Sequence, residues 1–282
     1  MKKIIQPVKG TREFYPYEMA LRTWLYGKIR KVSESFGYQE YDGPFLESID
    51  LYAAKSGEEL VKEQSFVFPD RGGNLITLRP ELTLSLARMV AQRQNELVYP
   101  LRLWSFGPFW RYEKPQKGRT REFFQWNIDL IGTATPEGDA ELVAIAAKFF
   151  EIVGLTPNEV KIMVNSRALM EQKISELGID VSEKTKVFNL IDRRDKMSKS
   201  EWEAYGRDEG FALEQIEGFL AIIGDKELYK SSPELMRFFR ALDAYGISDY
   251  VEFDGRVVRG LDYYTGIVFE ARDIGENSRA IL

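Results

Sequence analysis

Between two stretches that have the pattern of β-strands, residues 101–112 and 121–132, the chain reads Arg111-Tyr112-Glu113-Lys114-Pro115-Gln116-Lys117-Gly118-Arg119-Thr120-Arg121. This loop holds five cations and one acid, a local charge of +4 in a chain whose net charge is −5. Positive charge concentrated on a loop costs self-repulsion, which an anionic ligand such as a polyphosphate or a nucleic acid relieves. The alternative interpretation of the loop, taken alone, is a solvated basic hairpin tip.

The strand that follows this loop alternates in polarity. Its odd positions carry Arg121, Phe123, Gln125, Asn127 and Asp129, and its even positions carry the apolar residues Phe124, Trp126, Ile128 and Leu130. A period of two predicts that the apolar set packs into a core while the odd set lines the opposite face of the sheet. Guanidinium, aromatic, amide and carboxylate groups on one face suit a ligand that combines a phosphate, a base and an amine.

The composition excludes several kinds of catalysis, because the 282 residues include no cysteine and no histidine. Disulfides, thiolate nucleophiles, imidazole bases and the Ser-His-Asp triad are therefore ruled out. The apolar fraction of 44% is that of an ordinary globular protein, and no run of apolar residues is long enough for a membrane span or a signal peptide. We expect a cytoplasmic, soluble protein with no membrane partner.

Periodicity along the chain predicts an α+β fold in which an antiparallel sheet is flanked by helices. Helices are expected over 17–36 and 139–153 and from Pro80 onward, and a hairpin is expected from 65–69 and 74–78. Further strands are expected at 160–164, 251–253, 257–259 and 267–271. The charged, helical stretch 166–246 is interpreted as an inserted subdomain between a first part of the core, 1–165, and a second part, 247–282.

Two further segments place charged and hydroxyl groups at predicted turns. Thr77-Leu78-Arg79-Pro80-Glu81-Leu82-Thr83 has an acid and a hydroxyl where a strand passes into a helix, although an ordinary helix start explains it too. Arg259-Gly260-Leu261-Asp262-Tyr263-Tyr264-Thr265-Gly266 combines a cation, an acid and two tyrosines, and a tight turn with core tyrosines is the alternative. The sequence contains neither a P-loop nor a G-x-G-x-x-G turn, so arginines and a sheet would have to hold a nucleotide.

Together these segments resemble the class II aminoacyl-tRNA synthetases and, within that class, the histidyl-tRNA synthetases. Residues 36–47 look like the first class II motif, which builds the dimer interface, and residues 111–125 look like the second, which holds ATP. Residues 259–266 match the histidine-specific signature. The resemblance spans essentially the whole chain. It implies a class II fold and a homodimer that uses ATP with Mg²⁺ to activate L-histidine and transfers it to tRNA(His); the Mg²⁺ ligands are not identified.

The resemblance also implies a role for each matching residue. Arg111 and Arg259 would be catalytic, and the residues that bind ATP would be Arg111, Glu113, Arg119, Arg121 and Phe123. Phe123 would stack on adenine and Glu113 would read its edge. The histidine substrate would be bound by Glu81, Thr83, Gln125, Asp129, Tyr263 and Tyr264, with Asp129 standing where many family members carry Glu. Adenylate formation is attack of an ionised carboxylate on the α-phosphorus, which needs fixed cations and no general base.

Other interpretations remain open. The regulatory subunit of ATP phosphoribosyltransferase, which senses histidine, has the same fold, and a plain nucleic-acid-binding module would use the basic loop. The chain ends at Leu282, before the third class II motif and the anticodon-binding domain, so we expect it to be impaired in adenylation.

Lys196-Met197-Ser198-Lys199-Ser200 spells the ATP loop of class I synthetases, whose histidine-containing signature is missing here. We interpret it as a helix boundary with Ser198 or Ser200 as N-cap.

Overall fold

A computed structural model of the chain describes residues 4–53, 65–115, 119–258, 264–275 and 280–281. The chain divides into two compact units, residues 1–133 and 134–282. The described elements are mixed sheets with helices, so the α+β prediction is confirmed. The division at residues 165 and 246 stays a prediction.

The described part of the first unit contains three helices and six strands. The helices are α1 (Pro16–Ser35), α2 (Asp50–Ala53) and α3 (Thr83–Arg93). The strands are β1 (Gln39–Glu40), β2 (Leu46–Ser48), β3 (Val67–Pro69), β4 (Leu75–Leu78), β5 (Leu101–Trp110) and β6 (Glu122–Ile131). They form two sheets, in the orders β1-β5-β6 and β2-β4-β3. Antiparallel pairing of β3 with β4 confirms the predicted hairpin, and β5 pairs antiparallel with β6 along its whole length.

Helix α1 covers the even-numbered face of β6, as the alternation predicts. Phe124 meets the rings of Phe14 and Phe106, and the Trp126 indole donates to Ser33 Oγ at 3.2 Å. Only the second half of α1 is buried, through Ile29, Val32 and Ser33. Leu21 and Trp24 belong to the same apolar stripe but are exposed, so the apolar stripe extends beyond the part of α1 that is buried.

The prediction that a helix begins at Pro80 is wrong, because α3 begins at Thr83. The residues before it are engaged with other strands: the Arg79 amide donates to the Phe45 carbonyl at 2.9 Å, and the Trp110 amide donates to the Arg79 carbonyl at 3.1 Å. A residue that precedes proline is also pushed away from helical backbone angles. The Arg79 backbone therefore bonds to the residue before β2 and to β5 instead of starting a helix.

The described part of the second unit contains six α-helices around a three-stranded sheet. The helices are α4 (Pro136–Val153), α5 (Arg167–Glu176), α6 (Lys184–Asp192), α7 (Lys199–Asp208), α8 (Leu213–Gly224) and α9 (Pro233–Tyr245). The strands are β7 (Val160–Ser166), β8 (Val251–Phe253) and β9 (Ile267–Asp273), in the order β8-β7-β9. Strand β7 is parallel to β8 and antiparallel to β9.

Helices α5 to α8 share one apolar core, which includes Met170, Leu190, Trp202 and Phe219. Ser198 is the N-cap of α7, as predicted. Its Oγ accepts from the Glu201 amide at 3.3 Å, and the Glu201 carboxylate accepts from the Ser198 amide at 2.9 Å. This reciprocal pair is a capping box and gives the class I look-alike string a structural role.

The strand prediction at 257–259 is wrong for its described residues. The Val257 amide donates to the Asp254 carbonyl at 3.0 Å, which closes a turn directly after β8. Val257 and Val258 are buried although they lie outside the sheet, so their apolar character reflects core packing. Among the described residues, no helix has both the length and the apolarity needed to cross a membrane.

Candidate functional site

The face of β5 and β6 that points away from α1 carries the odd-numbered residues. Phe109 lies opposite Phe123 in the strand register, and Gly107 lies opposite Gln125. The ring centroids of Phe109 and Phe123 are 6.1 Å apart, and the Phe109 side chain is fully buried. The sheet therefore presents an aromatic ring followed by an amide, a second amide and a carboxylate along one strand, at Phe123, Gln125, Asn127 and Asp129.

Arg111 sits at the end of this face. Its guanidinium carbon lies over the Phe123 ring, 5.1 Å from the centroid, and its Nε donates to the Pro80 carbonyl at 3.2 Å. The Arg111 amide also donates to the Arg121 carbonyl at 2.9 Å, which prolongs the β5–β6 pairing. Because Pro80 precedes Glu81, these contacts bring two of the segments singled out in the sequence to the same end of the sheet.

Arg79 is a second guanidinium beside this face, and sequence reasoning missed it. Its side chain is completely buried, with Nη1 at 2.5 Å from Asp42 Oδ1 and Nε donating to the Pro108 carbonyl at 3.0 Å. A methyl group on Gly107 would come within 2.5 Å of Arg79 Nη2, so only glycine leaves room for this arginine. Among the described residues, Nη2 has no hydrogen-bond partner.

The basic loop is braced by contacts with backbone carbonyls. Arg121 Nε donates to the Glu113 carbonyl at 3.2 Å, and its guanidinium lies 4.5 Å from the Tyr112 ring centroid. The Arg121 amide donates to the Gly10 carbonyl at 2.9 Å. Arg119 is exposed and lies 3.9 Å from the Glu113 carboxylate. Arg111 and Arg121 are thus backbone neighbours, but their guanidinium groups contact different partners.

Asp129 lies at the far end of the polar face and has a partner that sequence reasoning missed. The Tyr41 hydroxyl donates to Asp129 Oδ2 at 3.1 Å. Burial raises the pKa of Asp129, and the hydrogen bond from Tyr41 partly opposes that rise. Burial, followed by the nearby Asp129 charge, also raises the pKa of Tyr41, so this phenol stays protonated and remains a donor.

Asn127 is the other residue on this face that was not assigned a role. Its Nδ2 is buried and, within the described part of the chain, has no hydrogen-bond partner. A buried donor without a partner costs free energy unless a water or a ligand accepts from it. The polar face therefore has a donor available between Gln125 and Asp129.

The remaining predicted site residues are distributed as follows. Glu81 is half-buried, and its carbonyl accepts from the Tyr52 hydroxyl at 3.3 Å. Thr83 is exposed at the first residue of α3, and Tyr264 belongs to the second unit. Arg259 and Tyr263 lie outside the described residues. Across the part of the chain that the structure describes, no three Asp or Glu side chains are grouped closely enough to hold a metal ion.

Comparisons with known proteins identify the family of the chain. The profile of the family described as histidyl-tRNA synthetase matches residues 10–279. The chain is 38% identical over 291 residues to the chloroplastic and mitochondrial histidine–tRNA ligase of Arabidopsis thaliana, covering 99% of this chain and 60% of that protein. It is 36% identical over 287 residues to histidine–tRNA ligase of Leptospira biflexa, covering 97% of this chain and 65% of that protein. The chain thus spans less than two thirds of the length of these relatives.

Solved structures show the same fold at lower identity. Histidyl-tRNA synthetase from Nostoc sp. superposes with a TM-score of 0.83 and 23% identity, over 98% of this chain and 67% of that one. A protein from Bacillus halodurans described as ATP phosphoribosyltransferase regulatory subunit/histidyl-tRNA synthetase superposes with a TM-score of 0.81 and 22% identity, over 97% and 74% of the two chains. From the profile match and the sequence identities, the chain belongs to the histidyl-tRNA synthetase family.

Proposed function

We propose that this chain binds ATP and L-histidine on the polar face of β5 and β6 and joins them as histidyl-adenylate, the intermediate for transfer to tRNA(His). The observation that carries the proposal is the position of Arg111, whose guanidinium lies between the Pro80 carbonyl and the Phe123 ring. A fixed cation beside an aromatic ring matches the two parts of a nucleotide, the phosphate and the base.

The positively charged side chains of the site would bind the phosphates of ATP. Attack of a carboxylate on the α-phosphorus brings two anions together, so fixed guanidinium groups lower the barrier by offsetting their repulsion. Arg111 is held by a carbonyl and a ring and needs little reorganisation to act in this way. Arg259 would act at the same phosphorus, and Arg119 and Arg121 would receive the outer phosphates. Arg121 Nε donates to the Glu113 carbonyl, which links the two described ends of the loop.

The base would stack on Phe123 and be read by Glu113. Because the Arg111 guanidinium lies over the Phe123 ring, adenine has to share that ring with the cation or take its other surface. Either arrangement keeps the positive charge of Arg111 next to the base. Stacking on an aromatic ring contributes about 1–3 kcal/mol per base, so Phe123 is expected to contribute substantially to affinity.

The amino-acid end would be formed by Gln125 and Asp129 together with Glu81, Thr83, Tyr263 and Tyr264. Asp129 offers an acceptor to the cationic amino group or imidazole, and Tyr41 fixes its orientation. The free Nδ2 donor of Asn127, between Gln125 and Asp129, is available to an acceptor atom of the same ligand. The face thus provides both a donor and an acceptor, as histidine requires.

Further partners are also part of the proposal. Mg²⁺ accompanying ATP would neutralise phosphate charge, and such an ion is bound mostly by phosphate oxygens, water and one or two carboxylates. Glu113 is the one carboxylate in the sequence of the basic loop. We also propose that the chain forms a homodimer in the cytoplasm. The side chains Tyr17, Leu21 and Trp24 on α1 are exposed and apolar, which supports a protein interface on this helix.

Isothermal calorimetry with ATP, with histidine, and with both ligands tests the proposed function. We expect each ligand to bind alone and histidine to bind more tightly when a non-hydrolysable ATP analogue is present, because the two sites share the sheet. Absence of binding by both ligands would contradict the proposal. Histidine binding without ATP binding would favour the histidine-sensing regulatory relative, and salt-dependent tRNA binding that neither ligand affects would favour a nucleic-acid-binding module.

A further inference from the structure

Asn165 near the end of β7 and Arg167 at the start of α5 contact the described residues on both sides of 259–263. Asn165 is fully buried, and its Nδ2 donates to the carbonyls of Gly255 and Val257, each at 3.2 Å. Its Oδ1 accepts from the Ser166 amide at 2.8 Å, which fixes the orientation of the side-chain amide. Asn165 thereby holds the turn that leads into the segment.

Arg167 contacts the chain both before and after residues 259–263. Its Nη2 donates to the Val258 carbonyl at 3.4 Å, and its Nη1 donates to the Tyr264 carbonyl at 3.0 Å. Its backbone amide donates to the Gly266 carbonyl at 3.0 Å. Arg167 is the first residue of α5, where a helix has amides without intrahelical partners, so the Gly266 carbonyl satisfies a donor that would otherwise be orphaned.

The surroundings of Arg167 make it a rigid support. The side chain is buried, with 8% of its surface exposed, and its guanidinium lies 5.4 Å from the centroid of the Phe188 ring on α6. Val258 is itself part of the apolar core of α5 to α8. A planar guanidinium has five donors in a fixed geometry, so one such group can hold two carbonyls at a set separation, which a lysine cannot do.

We propose that Arg167 is a positioning residue: by bridging the Val258 and Tyr264 carbonyls it fixes the separation of the two described residues that bracket 259–263. It thereby holds the backbone of Tyr264, a residue to which the proposed function gives a part in binding histidine. Asn165 supports the same bridge from the incoming side. The statement about histidine rests on the proposed function, whereas the statement about the bridge stands on the hydrogen bonds alone.

The test compares Arg167→Met and Arg167→Lys with Arg207→Met, a control at an exposed arginine of the same unit. Without any ligand, hydrogen exchange measured by mass spectrometry should be faster in peptides covering 255–266 of Arg167→Met and unchanged in the control. Arg167→Lys keeps the charge but has its donors on a single nitrogen, so it should fold and show an intermediate rate. Exchange in both Arg167 variants equal to that of the unmodified chain would overturn the inference.

The second readout is ligand affinity by calorimetry. Loss of a supporting contact displaces binding groups, so histidine affinity of Arg167→Met should fall by about tenfold or more while ATP affinity changes by less than about twofold. Equal histidine affinity in the variant and the unmodified chain would also overturn the inference. If the unmodified chain does not bind histidine, the proposed function fails, and the exchange measurement still decides whether the bridge exists.

Discussion

The Arg111 guanidinium lies 5.1 Å from the centroid of the Phe123 ring, across the end of the β5–β6 pair. Because Arg111 also donates to the Pro80 carbonyl, its position is fixed before any ligand arrives. A cation held over a ring needs little reorganisation to meet a phosphate, and preorganised charge is a large part of catalysis in phosphate chemistry. The pair therefore defines the place where the base and the α-phosphate of ATP would meet.

Replacing Phe123 with alanine tests the base end of this pair. We expect ATP affinity to fall by about tenfold, since stacking of one base contributes about 1–3 kcal/mol. Inorganic tripolyphosphate has no base, so its affinity should change little. Calorimetry with both ligands provides the comparison, and Phe123→Tyr, which keeps the ring, serves as the matched control. An equal loss for ATP and tripolyphosphate would show that Phe123 supports the phosphate site instead of the base.

Replacing Tyr41 with phenylalanine tests the amino-acid end. The Tyr41 hydrogen bond lowers the pKa of Asp129, so its removal should raise that pKa further. Protonated Asp129 no longer carries the negative charge that attracts a cationic ligand, so histidine affinity should begin to fall at a higher pH in the variant. Titrations from pH 5 to pH 8 give the comparison, because the titration of histidine itself is common to both proteins.

The control for that experiment is Tyr15→Phe, at an exposed tyrosine. Identical pH profiles for Tyr41→Phe and the unmodified chain would mean that Asp129 does not contact the ligand in its ionised form.

The position of these residues shows what the sequence can and cannot predict. Alternation along β6 places Phe123, Gln125 and Asp129 on one face, because a strand has a period of two. Tyr41 and Asp129 are 88 residues apart, and they meet because β5 pairs with β1 on one side and with β6 on the other. No local pattern carries that information.

Arg79 was missed for a related reason. Its polar partners are Asp42, between β1 and β2, and the Pro108 carbonyl on β5, and the gap that admits its side chain is left by Gly107. The helix start at Pro80 failed for the same cause, since tertiary contacts outweighed a local helix-start signal. The residue roles taken from the family resemblance, including those of Arg259 and Tyr263, stay predictions.

Asp42 is expected to contribute more to stability than its exposure suggests. About half of its side chain is exposed, but it is the carboxylate paired with the completely buried Arg79. Asp42→Asn would leave a buried charge without its counter-ion, at a cost of about 1–2 kcal/mol in the free energy of unfolding. Urea denaturation measures this. Asp208→Asn, at an exposed position on α7, should change stability by less than about 0.5 kcal/mol; equal effects of the two variants would contradict the expectation.

Asp139 should make stability depend on pH in the second unit. Burial, and then the negative charge of Glu234, raises the pKa of Asp139 to about 6. The folded state therefore holds a proton that the unfolded state has lost, so the contribution of this group to stability is present at low pH and is lost as the pH rises through 6.

The variant Asp139→Asn removes this titration. The difference in unfolding free energy, variant minus unmodified chain, should grow by about 1 kcal/mol between pH 4 and pH 7, a value that allows for solvent screening of a partly exposed group. Chemical denaturation at several pH values measures it. A difference that stays constant over this range would show that Asp139 titrates normally.

The central claim is that guanidinium groups on a sheet, with Arg111 foremost, hold the phosphates of ATP. The most direct measurement is ATP affinity by calorimetry for the unmodified chain, Arg111→Met and the exposed control Arg93→Met. Loss of a hydrogen bond to a charged group corresponds to about 1.5–3 kcal/mol, so we predict affinity that is about tenfold to a hundredfold weaker in Arg111→Met and unchanged in Arg93→Met. Equal ATP affinity in all three proteins would contradict the claim.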